Sequence, residues 1–235
     1  MKVEIWSDVA CPFCYIGKRS FEDALSKFSD KDKVEVVYRS FELDPKTPKD
    51  VEQDVHDMLA AKYGMTRDKA KEMGQNVSRM AELSGLKFEF DTMILTNTFD
   101  AHRLTHYAAK YGKRPDMTEQ LFKAYFTDSK HVGDHEVLAG LAEDIGLNKQ
   151  EVLEVLASSE YTAEVRAEEH DAQQLGVNGV PFFVINRKVG ISGAQSAEYF
   201  LNALKQVWAE ESDKPKLTVL GNEDGSICTD DGCSV

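Results

Sequence analysis

A chain of 235 residues, 42% of them hydrophobic and 29% charged, with a formal net charge of −13, can bury a substantial core without disulfide staples, and it repels polyphosphate. No apolar run approaches the roughly 20 residues that cross a bilayer. These properties argue against a disordered chain, a broad basic nucleic-acid surface and a helical membrane anchor, so neither nucleic acid nor membrane is expected as a partner.

Residues 2–7, KVEIWS, alternate in polarity and read as a strand. No apolar core or small-residue cleavage site of a signal peptide precedes it, which makes the cytoplasm the expected compartment. Cys11 and Cys14 follow at once, in SDVACPFCYIGK. From Pro12 to Phe28 the apolar residues Phe13, Ile16, Phe21, Leu25 and Phe28 recur at helical spacing, so Cys14 falls within the first turns of a helix. Residues 34–43, VEVVYRSFEL, predict a second strand. Strand, helix and strand form a βαβ unit with parallel strands.

Pro45 and Pro48 close that unit. Helical periodicity then runs through segments near 50–63, 66–84, 97–111, 116–128, 134–145, 148–157 and 160–175, with glycines between them. After Gly176 the pattern returns to strands at 180–185 and 188–192, joined by a tight turn at Asn186-Arg187. A last amphipathic helix spans about 195–211. The expected fold is α/β, a thioredoxin-like core of residues 1–45 and 176–211 interrupted by an all-helical insertion at 46–159, with 160–175 as a bridging helix. An acidic tail, 212–235, carries Cys228 and Cys233.

A thiol attacks a disulfide only as its thiolate, and the N-terminus of a helix favours negative charge. Cys11 at that position is the expected nucleophile. Pro12 suits the first helical turn because it needs no N–H partner. Cys14, one turn deeper, can attack a mixed disulfide on Cys11 and release the substrate. The same C-x-x-C spacing occurs in halves of zinc sites, but the strand before it and the helix from it favour redox exchange. The distant Val180-Pro181, opening a strand, adds to that context.

Together SDVACPFCYIGK, TNTFDAHRL (96–104), GVNGVPFFVIN (176–186) and SGAQ (192–195) resemble the DsbA superfamily, in the branch that contains the FrnE-type oxidoreductases. The likeness covers nearly the whole chain. It implies a cis Val180-Pro181 bond lying against the cysteine pair, with Phe13, Val180 and Pro181 meeting an extended peptide or glutathione. It implies thiol–disulfide oxidoreductase or isomerase activity on protein or small thiol substrates, with no bound cofactor and with glutathione as a candidate co-substrate. Relatives such as 2-hydroxychromene-2-carboxylate isomerases and kappa-class glutathione transferases typically have serine where this chain has Cys11. A glutathione-dependent isomerase or transferase is therefore the first rival, and a redox-linked holdase the second.

Cys228 and Cys233 bracket TDDG. A C-terminal C-x4-C also occurs in some FrnE-type proteins, which suggests a second redox pair relaying electrons to Cys11 and Cys14. An inert tail and a zinc site shared by all four cysteines compete with that reading. Asp230 and Asp231 oppose thiolate formation there by like charge.

His102 with His106, and His131 with His135, stand one helical turn apart. Without an H-E-x-x-H arrangement they are expected to be ordinary surface or interface histidines, and no metal is expected. His102, inside FDAHRL, is also a candidate for the wall of a substrate cleft. Met58, Met65, Met73, Met80 and Met93 read as core filling.

Overall fold

A computed structural model describes residues 1–212, 227–229 and 232–234. Four strands, β1 (Lys2–Ser7), β2 (Glu35–Ser40), β3 (Phe182–Ile185) and β4 (Val189–Ser192), form a sheet in the order β2-β1-β3-β4. β1 pairs with β2 in parallel, and the β1/β3 and β3/β4 pairs are antiparallel. As a central strand β1 is buried along almost its whole length. Val3 and Ile5 face one side of the sheet and Trp6 the other, as the period of two requires.

Helix α1 (Pro12–Ser26) and the last helix, α9 (Ala197–Ser212), cover the Val3/Ile5 face. Phe21, Phe183 and Phe200 meet there with ring centroids 4.5–5.6 Å apart. The other face packs under α8 (Thr162–Gln174), where the Trp6 indole N–H donates to the Glu168 carbonyl at 2.9 Å. Between β2 and α8 lie α2 (Val55–Tyr63), α3 (Arg67–Leu83), α4 (Phe99–Ala109), α5 (Arg114–Phe126), α6 (His135–Asp144) and α7 (Lys149–Ala157). Their core includes Leu104, Leu121, Phe122, Phe126 and Leu138, and it takes in Cys11, Cys14 and Tyr15 from the start of α1. Tyr15 stacks on Phe122 at 5.0 Å. One helix thus serves two cores, with its cysteine end in the helical block and its later turns on the sheet.

The turn at Asn186-Arg187 has φ of 50° and 56°, both left-handed, the geometry that joins two twisted antiparallel strands most directly. The strand expected over 34–43 is shorter. It stops at Ser40 because the N–H groups of Ser40, Glu42 and Leu43 bond to carboxylates of Glu168, Glu169 and Asp8 instead of extending the ladder. Two further strands, β5 (Ile227–Thr229) and β6 (Gly232–Ser234), pair antiparallel with Cys228 opposite Cys233. The remainder of the tail lies outside the described residues.

Candidate active site

Cys11 is the N-cap of α1, and its Sγ accepts the N–H of Cys14 at 3.3 Å. Ser, Thr, Asp or Asn usually fills that position, so here sulfur does the work of a capping oxygen. Proline follows directly in the first turn, as expected. The Cys11 thiol also lies 3.5 Å from the carbonyl of Val180, whose bond to Pro181 is cis. Close packing holds that loop against the helix. A Cβ on Gly17 would meet Pro181 Cγ at 3.2 Å and Ala194 Cα at 3.4 Å, tighter than ordinary contact, so glycine lets α1 sit against the proline loop and the SGAQ segment.

Both cysteines are free and buried. They differ in what they reach. Cys11 borders a groove of about 890 Å³ between the site and α2/α3, while Cys14 does not. Phe13, 39% exposed, and Val180 stand beside Cys11 along the same groove. Burial pushes the Cys14 thiol well above its ordinary pKa, the neighbouring Cys11 sulfur adds to that, and Asp8 acts both ways, its backbone N–H lowering the value and its carboxylate raising it. Cys14 is thus held as a thiol away from the groove that Cys11 borders, although the two residues are buried to nearly the same extent.

The groove corrects the expectation for the methionines only in part. Met93 is core filling as expected and Met58 packs against that core, yet both also line the groove with Met73, Phe90, Tyr125 and Phe126, and Met80 is exposed. Helical spacing shows which residues share a face but not whether that face meets a core or a cleft. Its walls are thus mainly apolar, with thioethers that adapt to different shapes.

Of the histidines expected at a surface or an interface, His131 and His135 are partly exposed, and His102 and His106 lie between elements. His102 is buried and bonds through Nε2 to Asp8 Oδ1 at 3.3 Å. His106 is mostly buried against Glu168 Oε2 at 3.1 Å, and His131 and His135 pair with Asp50 and Asp100. Each stands beside a carboxylate on another part of the chain, a pairing invisible to local periodicity, although His131 Nδ1 is buried without a partner. His102 lies behind Asp8 and is not on the groove wall. Among the described residues no three His, Cys, Asp or Glu side chains converge as a metal site would need. The backbone register alone is described for Cys228 and Cys233, and their side chains lie outside the described residues.

Asp8, in SDVAC, borders the groove and is a residue to which the motif's spacing assigns no role. Its partners, Leu43 and His102, are 35 and 94 positions away. Nothing in the spacing of the motif reveals them.

Residues 2–205 match the model of the DSBA-like thioredoxin domain. The probable DsbA oxidoreductase SCO1869 from Streptomyces coelicolor is similar in structure, with a TM-score of 0.88, 45% identity, and coverage of 100% of this chain and 99% of its own. The uncharacterized protein YwbO of Bacillus subtilis (strain 168) is 29% identical over 204 residues, 86% of this chain and 94% of that protein. The cytosolic disulfide reductase DsbM from Pseudomonas aeruginosa, solved with GSH, shares the fold at a TM-score of 0.58 and 16% identity, covering 90% of this chain and 98% of that one. No described helix is long and apolar enough to cross a membrane.

Proposed function

The chain belongs to the DSBA-like thioredoxin domain family, and we propose that it is a thiol–disulfide oxidoreductase in which Cys11 attacks and Cys14 resolves. The observation that carries this reading is the asymmetry of the pair: Cys11 borders the groove, and Cys14 is sealed behind it as a thiol. In the reducing direction the Cys11 thiolate bonds to one sulfur of a substrate disulfide, and the other sulfur leaves as a thiolate and takes a proton. Cys14 then loses its proton and attacks the Cys11 sulfur. The substrate leaves as its second thiol, two electrons have passed to it, and Cys11 and Cys14 are left as a disulfide. Oxidation of a substrate dithiol is the same sequence reversed.

The groove supports the choice of substrate. Its apolar wall next to a recessed sulfur suits an extended polypeptide segment with apolar side chains near its cysteine, and a folded surface would be kept from the thiol. Glutathione is small enough to reach the same sulfur and serves as the proposed co-substrate, as DsbM with GSH illustrates for a protein of this fold. The proposed compartment is the cytoplasm, where such a dithiol is kept reduced.

Three assays test the reading: the equilibrium of Cys11/Cys14 with glutathione, insulin reduction, and reactivation of scrambled ribonuclease. Absence of thiol exchange in all three overturns it. The rival, glutathione-dependent isomerisation of a small molecule, does not need Cys14, so full turnover by C14S would favour it.

A second pair enters the proposal through one observation. The antiparallel register sets Cys228 directly across from Cys233, as a reversible disulfide between neighbouring strands requires. We propose that this pair exchanges electrons with Cys11/Cys14.

A further inference from the structure

Three of the seven methionines meet at one place. Met58 of α2, Met73 of α3 and Met93 of the segment between α3 and α4 all line the groove that Cys11 borders. Met58 and Phe90 pack against the cluster that holds Met93, Leu95 and Phe126, so the thioethers are part of an apolar wall. Met93 is only 7% exposed, and anything that touches its sulfur comes through the groove. Two other methionines supply contrasts within the same molecule: Met80 is 47% exposed outside the groove, and Met117 is sealed in the core.

A thioether holds apolar side chains by dispersion and adapts to their shape, but it is also open to two-electron oxidants. With hydrogen peroxide the sulfur lone pair attacks one peroxide oxygen, an S–O bond forms and the O–O bond breaks. The other oxygen leaves with the proton of the first as water, so sulfur loses the two electrons that peroxide gains. The sulfoxide oxygen is a strong acceptor, and an apolar side chain laid over it strips its water without replacing the hydrogen bond. The wall offers little relief, since the Thr96 hydroxyl beside Leu95 already donates to the Lys49 carbonyl at 2.7 Å.

We propose that Met58, Met73 and Met93 are oxidation sites that switch the groove: peroxide converts them to sulfoxides, and the groove then rejects apolar polypeptide segments while Cys11 keeps its access to glutathione. A bound segment covers the three sulfurs, so the empty protein is the sensitive form. Thiols and sulfoxides are restored by different reductants, and the groove therefore stays closed to polypeptides after the dithiol has recovered. This inference rests on the proposed use of the groove as a polypeptide site.

The test takes the full chain with Cys11 and Cys14 closed as a disulfide, exposes it to hydrogen peroxide, removes the peroxide and reduces the cysteines with dithiothreitol. Peptide mass maps the sulfoxides. The readouts are Kd for a fluorescent, cysteine-free peptide rich in Leu and Phe, and turnover of glutathione disulfide. Oxidation at the three groove methionines is expected to raise Kd about tenfold or more and to leave glutathione turnover within about twofold, and methionine sulfoxide reductases should restore Kd. Excess peptide during the exposure should protect Met58, Met73 and Met93 but not Met80. In M58L/M73L/M93L, compared with itself before and after peroxide, Kd should not move. Four results overturn the proposal: no peptide binding before treatment, a Kd that shifts less than about twofold with three sulfoxides mapped, glutathione turnover that falls in step with Kd, or groove methionines left intact while Met80 is oxidised. An equal loss of binding in the triple Leu variant overturns it as well. Should that variant fail to fold, M73Q, which puts a polar amide in place of the thioether, decides: an unchanged Kd overturns the proposal. Peptide binding needs no turnover, so absence of thiol exchange would remove the oxidoreductase reading and leave this one decided by its own readout.

Discussion

The Cys11 sulfur lies 3.5 Å from the carbonyl oxygen of Val180, a residue 169 positions downstream. That contact joins the start of α1 to the loop before β3, and it places the thiol beside backbone that a substrate segment would follow. Substitution of Cys11 by Ser should abolish insulin reduction, whereas C14S should accumulate a mixed disulfide, because attack survives and resolution does not. Non-reducing mass spectrometry checks this. Loss of attack in C14S, with C11S still active, would reverse the assigned roles.

Phe13 is 39% exposed at the groove, so F13A should cost little stability. It removes apolar surface from the proposed binding site. We expect KM for a polypeptide disulfide to rise about threefold to tenfold with kcat nearly kept, since uniform binding is lost. Steady-state kinetics on a peptide series would show the effect, which should be smaller for glutathione disulfide.

Gly17 lets Pro181 and Ala194 approach α1. G17A gains about 1 kcal/mol of helix propensity, while overpacking costs about 1–3 kcal/mol. The balance is about 0–2 kcal/mol of destabilisation, so Tm should fall by no more than about 8 °C. Activity should fall at least about tenfold, because the proline loop shifts relative to the sulfur by tenths of an ångström. Thermal melts and insulin turnover on the same preparation separate the two effects.

Glu119 of α5 binds Lys18 at 2.5 Å, as well as Arg19 and Tyr15, and so ties the helical block to α1. Burial would raise its pKa, but those three partners bring it down to about 2 from an ordinary 4.5. A depressed folded-state pKa stabilises the fold above the unfolded value, and that stability is lost as pH falls through the folded value. The Tm gap between the parent and E119Q should therefore be full at pH 6 and close between pH 4.5 and about 2. A gap independent of pH would show that packing, not charge, accounts for it.

The proposed second pair makes its own demand. C228S/C233S should slow turnover with at least one electron donor while leaving the fold intact by circular dichroism. Turnover unchanged with every donor, including glutathione and a thioredoxin-type dithiol, would remove the relay.

Much of this molecule is legible from local pattern. The strand before Cys11, the helix that opens there, the block of helices, the hairpin at Asn186-Arg187 and the returning strands all follow from periodicity and turn chemistry, which act between near neighbours. The spacing of Cys11 and Cys14 likewise puts both on one helical turn, as the proposed exchange needs. Tertiary structure decided what those elements face. It placed Val180 on Cys11, turned Met58, Met73 and Met93 toward a groove, sealed Cys14, and buried His102 against Asp8 across 94 positions. Burial and charge pairing depend on which distant segments meet, and no local period encodes that. The chemistry proposed for the two sulfurs is legible in the sequence, and the difference in their surroundings arises only when the helical block closes over the start of α1.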